Sequence, residues 1–230
     1  MIARRHLVLA SVLGVVAVAA IAFLSNSSSP KSVALAARQH AMELLGARIA
    51  KLRPECKVLV LSNPFTKDSS YLNEKNQYER ASLRGLRKGL GGRSSVMVVF
   101  PEIRPEYFSN PQSVFIPPDS RTPLSFLMRP ESVDQLAEAH PDYRVIVSLI
   151  GLPSEVDKLK IWSENDPRAF ALLLPDLRLL GPPAKAVEAF QRGKLLAAVT
   201  EDSFQSADPL IITRDNVVEV LQRQPKALGY

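Results

Sequence analysis

Five apolar runs recur along the chain, and stretches with helical spacing separate them. Residues 57–61 (KVLVL), 95–100 (SVMVVF), 143–150 (YRVIVSLI), 169–174 (AFALLL) and 195–199 (LLAAV) are nearly unbroken in apolar residues. Runs of this length and composition predict strands buried on both faces. Residues 210–213 are a weaker sixth. Between them lie predicted helices over 33–52, 76–90, 132–140, 154–162, 183–192 and from Asp215 or Asn216 to Gln222. Ala41, Leu45, Ile49 and Leu52 form one stripe on the first, and Pro54 ends it. Leu83, Leu86 and Leu90 point inward on the second, which Gly91 and Gly92 terminate. Ser132 and Ser154 suit N-cap positions, and Pro183 suits a first helical turn. Strands alternating with helices predict a Rossmann-like three-layer α/β domain. Its sheet is mostly parallel, five- or six-stranded, in the order 2-1-3-4-5.

One apolar segment does not fit that alternation. Residues 7–24 are 18 consecutive residues without a charge, interrupted only by Ser11. As a helix they would rise about 27 Å, close to the hydrocarbon thickness of a bilayer. Arg4 and Arg5 precede them with no acidic residue nearby, which directs the remainder of the chain outward. Two fates are open, a signal anchor and a cleaved signal peptide; Ala17, Ala19, Ala20 and Ala22 permit cleavage. The expected organisation is therefore an anchor or signal over 1–25, a Ser-rich linker over 26–32 and the α/β domain over 33–230. The expected location is the bacterial inner membrane, single-pass, with the C-terminal domain periplasmic.

Residues 101–130 hold seven prolines and no clear period. A loop of that length in a compact domain usually serves a purpose, such as a lid or binding loop. Tyr107, Phe108, Phe115 and Phe126 lie in it, and such aromatics ordinarily plug a loop onto the body. The net charge of +6 includes Arg4 and Arg5. The rest is too diffuse to imply nucleic acid. The single cysteine, Cys56, has no intramolecular partner and is expected as a small near-core residue.

In an open α/β sheet, ligands bind beyond the carboxyl ends of the strands, where strand order reverses. Ser62, Asn63 and Phe65 follow the first strand, Glu102 the second, Gly151 with Leu152 and Pro153 the third, Asp176 the fourth, and Glu201 and Asp202 the fifth. Asn63 and the acids suit hydrogen bonding to a polar ligand, and Phe65 suits covering its apolar face. The same residues also suit turns and caps. Other chemistry fails on spacing. His6, His40 and His140 have no metal-binding partners, and no Gly-x-Ser-x-Gly is present. The glycines at 89, 91 and 92 end a helix rather than open one, so they do not cradle phosphate. No cofactor is called for. Arg80, Arg84, Arg87 and Lys88 share one helix face, expected as a solvated outer face.

Three segments resemble the type I periplasmic-binding-protein fold, the sugar-binding family of ABC transport. Residues 142–153 (DYRVIVSLIGLP) resemble its strand leading to a ligand-facing loop. Residues 190–199 (FQRGKLLAAV) are similar to a helix-Gly-Lys-strand, and 210–217 (LIITRDNV) to a late strand and helix. The resemblance implies one lobe of a two-lobed family, without the clamp between lobes. The leading expectation is a membrane-tethered binding domain, without catalysis, for a small polar ligand or an envelope partner. The second is a scaffolding module using the basic helix face. The third is an enzyme working through Glu102, Asp176, Glu201 or Asp202.

Overall fold

The computed structural model describes residues 29–67, 74–92, 94–200 and 209–230, and residues 37–230 form one compact unit. Its elements, in chain order, are α1 (Pro30–Leu52), β1 (Lys57–Leu61), α2 (Glu74–Leu90), β2 (Ser95–Val99), α3 (Pro105–Ser109), α4 (Leu124–Leu127), α5 (Pro130–Ala139), β3 (Val145–Ser148), β4 (Ala169–Leu173), α6 (Pro183–Gln191), β5 (Leu195–Val199), β6 (Ile211–Thr213) and α7 (Val217–Arg223). No described helix is long and apolar enough to cross a membrane; residues 7–24 lie outside the described residues.

The sheet has six strands in the order β2-β1-β3-β4-β5-β6. The first five are parallel in the expected order, and β6 closes the edge antiparallel to β5. Alternation along each strand divides the core. Val58, Val60, Val145, Val147, Ala169 and Ala171 face Met42, Leu45, Ile49 and Leu86 of α1 and α2. Leu59, Leu61, Ile146, Phe170, Leu172 and Ala198 face Val133 of α5, Phe190 of α6 and Val217 of α7. Two separate apolar layers against one sheet are what a parallel sheet requires.

Helices α1 and α2 cross at backbone distance. A Cβ on Gly85 would lie 2.0 Å from the Gln39 carbonyl oxygen, and one on Gly89 would lie 1.9 Å from that of Glu43. Gly46 is pressed in the same way against the Leu86 carbonyl, at 2.6 Å. These glycines set the helix spacing, a role that reading Gly89 only as part of a helix end misses.

Three local expectations are corrected. No α-helix spans 154–162; two 3-10 turns, Val156–Lys158 and Lys160–Trp162, make the β3–β4 crossover. A tertiary bond wins there over local pattern, because the Asp134 carboxylate on α5 accepts the N–H groups of Lys160 (2.9 Å) and Ile161 (3.1 Å). Ser132 does not cap α5, which begins at Pro130. Its hydroxyl instead donates to the Arg129 carbonyl (2.7 Å) and accepts the Glu102 N–H (3.2 Å). Strand β2, read as buried on both faces, is a half-exposed edge strand.

Candidate functional site

The carboxyl ends of the strands carry the sequence-predicted residues, and the fold separates them into two ends of one rim. After β1, Ser62 is buried and donates its hydroxyl to the Glu79 carboxylate on α2. The Asn63 N–H donates to the same carboxylate at 3.3 Å. The Asn63 side chain accepts the Phe65 N–H at 2.9 Å, capping the 3-10 turn Pro64–Thr66. The Thr66 hydroxyl donates to the Asn63 carbonyl at 2.7 Å and lies 3.4 Å from Glu79 Oε2. Burial pushes the Glu79 carboxyl above its ordinary range; the hydrogen bonds from Ser62 and Asn63 and the charge of Arg38 pull the other way. Arg38 donates through Nε to Ser82 at 2.7 Å, and its guanidinium stands 5.8 Å over the Tyr78 ring.

Glu79 therefore ties the β1–α2 loop to the helix. A carboxylate engaged by two hydroxyls and a backbone N–H is an anchor more than a base waiting for a proton. Sequence reasoning missed Glu79 and Arg38, but a signal exists. Glu79 falls on the inward stripe of Leu83, Leu86 and Leu90, and Arg38 falls on that of Ala41 and Leu45. A charge on an inward stripe marks a buried polar partner.

Beside this anchor stands an aromatic ledge. Phe65 is 46% exposed and meets Tyr107 edge-on, with centroids 6.1 Å apart. Tyr107 meets Phe108 at 5.8 Å, and Phe108 is 67% exposed. Phe115, 76% exposed, lines a hollow of about 260 Å³ with Arg104, Phe126 and Ser154. The expectation that the loop aromatics plug onto the body is thus corrected: Phe108 and Phe115 point to solvent, while Tyr107 and Phe126 are half-buried. The loop is fastened by other means, a β-bridge between Ile103 and Met128 and the bond from Arg104 Nε to the Phe126 carbonyl at 3.1 Å.

The other end of the rim is closed. Gly151, at φ +88°, is buried under the loop; a Cβ there would lie 2.4 Å from Ser125 Oγ and 2.6 Å from Thr122 Cβ. Ser125 Oγ donates to the Ile150 carbonyl (3.2 Å), and the Ser154 N–H donates to the Ser125 carbonyl (3.1 Å). Leu152 and Pro153 are buried with it. The Asp176 side chain is 3% exposed and accepts two bonds from Arg178, at 2.8 and 2.7 Å, and the Arg121 N–H at 3.4 Å. Arg178 also pairs with Asp119, so the loop is pinned from both sides. The C-terminus completes the cover: a Cβ on Gly229 would lie 2.6 Å from Asp176 Oδ1. The Tyr230 hydroxyl donates to the carbonyls of Leu177 and Gly181, each at 3.0 Å. Burial and the nearby Asp176 charge push that phenol up to about 12.

Ser62, Asn63 and Phe65 thus come together, Gly151 and Asp176 share a covered end, and Glu102 stands apart. Glu102 is exposed and paired with Arg129 at 2.8 Å. Glu201 and Asp202 lie outside the described residues. A groove of about 510 Å³ runs along α6 from the covered end of the rim toward the amino ends of the strands, lined by Trp162, Leu179, Leu180, Lys185, Arg192 and Lys194. Among the described residues no group of three His, Cys, Asp or Glu is placed to hold a metal.

The elements and rim define a three-layer α/β domain of the doubly wound, parallel-sheet class. No family model matches the chain, and no curated protein does. Solved structures with a similar fold include a carbohydrate transporter, a periplasmic solute-binding protein and a galactofuranose-binding protein. A carbohydrate transporter from Acidothermus cellulolyticus in complex with myo-inositol is 12% identical, with a TM-score of 0.49 over 83% of this chain and 62% of that one. A periplasmic solute-binding protein from Actinobacillus succinogenes with bound D-allose is 10% identical, with a TM-score of 0.47 over 79% and 62%. A galactofuranose-binding protein is 11% identical, with a TM-score of 0.49 over 85% and 64%. The chain spans less than two thirds of the length of each.

Proposed function

We propose that this chain is a non-enzymatic binding domain of the bacterial cell envelope. In this reading, residues 7–24 hold it at the inner membrane with the folded part outside the cytoplasm. It meets its partner at the open end of the carboxyl rim, around Asn63 and Phe65. One observation carries this: the β3–β4 end of the rim is sealed by residues 119–125 and the C-terminus, whereas the β1–β2 end presents solvent-facing phenylalanines. An exposed aromatic ledge suits a surface contact with an envelope component better than an engulfed small ligand. Acid–base chemistry has little support, since Asp176 and Glu102 are both held in ion pairs.

A second reading, scaffolding through α2, draws on Arg80, Arg84, Arg87 and Lys88, which are all exposed. Two of them are already engaged with α1: Lys88 pairs with Glu43 at 2.9 Å, and Arg84 reaches Gln39 at 3.3 Å. Hydrogen exchange on the full chain separates the readings, comparing bacterial membrane vesicles with detergent. Slowed exchange over 63–67 and 104–115 is the expected result. Slowing confined to 80–88 would replace the rim with the helix face.

A further inference from the structure

The direction of α1 adds a constraint on the ledge. Contacts between α1 and α2 climb together: Gln39 meets Gly85, Glu43 meets Gly89, and Arg38 meets Ser82. The two helices therefore run parallel. Helix α2 follows β1, so it starts at the carboxyl rim and descends toward the amino ends of the strands. Helix α1 descends with it, and Arg38 lies at rim level, close enough for its charge to act on the Glu79 carboxyl that Ser62 bonds. The compact unit begins at Ala37, so the chain enters it on the rim side. Only residues 25–36 separate that point from the apolar segment. Twelve residues span at most about 40 Å even when fully extended.

The same side carries Phe65, Tyr107, Phe108 and Phe115, with exposed Lys67 and Glu106 and half-buried Arg104 among them. Tyr rings settle at the headgroup boundary of a bilayer, exposed Phe side chains bury into the edge of its apolar layer, and Lys and Arg favour anionic headgroups. We infer that this ledge rests on the headgroup layer of the membrane that holds the N-terminal segment, so that the domain docks rim-first on its own bilayer. The partner of the open rim is then the bilayer surface rather than a protein. This rests on the tethering proposed above.

Trp162 is the chain's one tryptophan, and it lies in the groove with Lys194, near the amino ends of β4 and β5 and away from the ledge. It therefore serves as an internal control. The full chain is reconstituted in protein-free nanodiscs of phosphatidylethanolamine and phosphatidylglycerol, with and without brominated acyl chains. The unaltered chain should show Trp162 fluorescence unchanged by bromine. Phe108→Trp in a Trp162→Phe background should lose emission to bromine, because a tryptophan docked at the headgroup boundary comes within reach of the acyl chains. Phe115→Trp in the same background repeats the test, should the first variant fold poorly. Incorporation into the discs with no quenching at either position overturns the docking and leaves the tether standing. Failure to enter the discs at all overturns both. Ledge protection in native vesicles without quenching in protein-free discs assigns the rim to a protein partner and rejects the bilayer.

Discussion

The two ends of the carboxyl rim are built from similar materials and put to opposite uses. At the β3–β4 end, a buried glycine, a buried aspartate and a long loop interlock: Gly151 under Thr122 and Ser125, Asp176 under Arg178 and the Arg121 N–H. At the β1–β2 end, the polar groups turn inward to Glu79, and the apolar rings turn outward. Hiding polar groups and displaying apolar ones reverses the usual surface arrangement, and the proposed contact at the open end rests on that reversal. The closed end should then answer to mutation in stability, and the open end in binding.

The largest loss is expected at Gly151. Alanine there adds a Cβ at φ +88° into a space already held by Thr122 and Ser125. Strain and overlap together should cost about 3 kcal/mol. For a domain of this size that lowers Tm by about 6–12 °C in a thermal melt. A loss below about 1 kcal/mol would mean that the loop lifts away cheaply and that the end is not sealed. Asp176→Ala comes next. It removes the acceptor for the Arg121 N–H and two bonds from Arg178, which stays partly solvated and keeps Asp119. About 2 kcal/mol is expected in urea denaturation. Protease cutting within 110–122 should quicken in parallel, because the loop loses its pin.

The sheet was legible in the sequence because four buried parallel strands and one half-exposed edge strand all leave nearly unbroken apolar runs, and their order follows from right-handed crossovers. What lay hidden depended on partners distant in sequence. The turns at 156–162 take their form from Asp134, more than twenty residues earlier. Glycines 46, 85 and 89 look like helix breakers until the opposite backbone is seen against them. The site residues after β1 were legible as a rim, since their place follows from the strand they end. That Gly151 and Asp176 would be covered was not, because the cover comes from the proline-rich segment, whose path no periodicity announces. The outward turn of Phe108 and Phe115 was hidden for the same reason.

Glu79→Gln sharpens the comparison at the open end through its pH dependence. Burial lifts the folded-state value of Glu79 above its ordinary 4.5, so the folded chain holds that proton more tightly than the unfolded one. The stability this contributes is fully present below pH 4.5 and is lost as pH rises through the raised value. Asp119, Asp142 and Asp166 carry lowered values and act the other way, below their ordinary 3.8. The difference in unfolding free energy between the parent and Glu79→Gln should therefore narrow above pH 4.5. At neutral pH the substitution should cost about 1 kcal/mol, since the glutamine carbonyl keeps one acceptor for Ser62 and Asn63. A pH-independent difference would mean that Glu79 is solvated and anchors nothing.

The smallest effect on stability belongs to Phe108→Ala, and its smallness is informative. A ring that is 67% exposed gains little from the fold, so truncation should change the unfolding free energy by no more than about 0.5 kcal/mol. If the ring meets a membrane surface, the same change should still weaken the retention of residues 104–115 at that surface, read as faster hydrogen exchange in vesicles. Tyr107 loses one edge contact and keeps the one to Phe65, so the ledge is thinned without being dismantled. A destabilisation of about 2 kcal/mol or more would instead make Phe108 part of the loop's packing. The open end would then be a second closed one, and the contrast on which the functional reading depends would disappear.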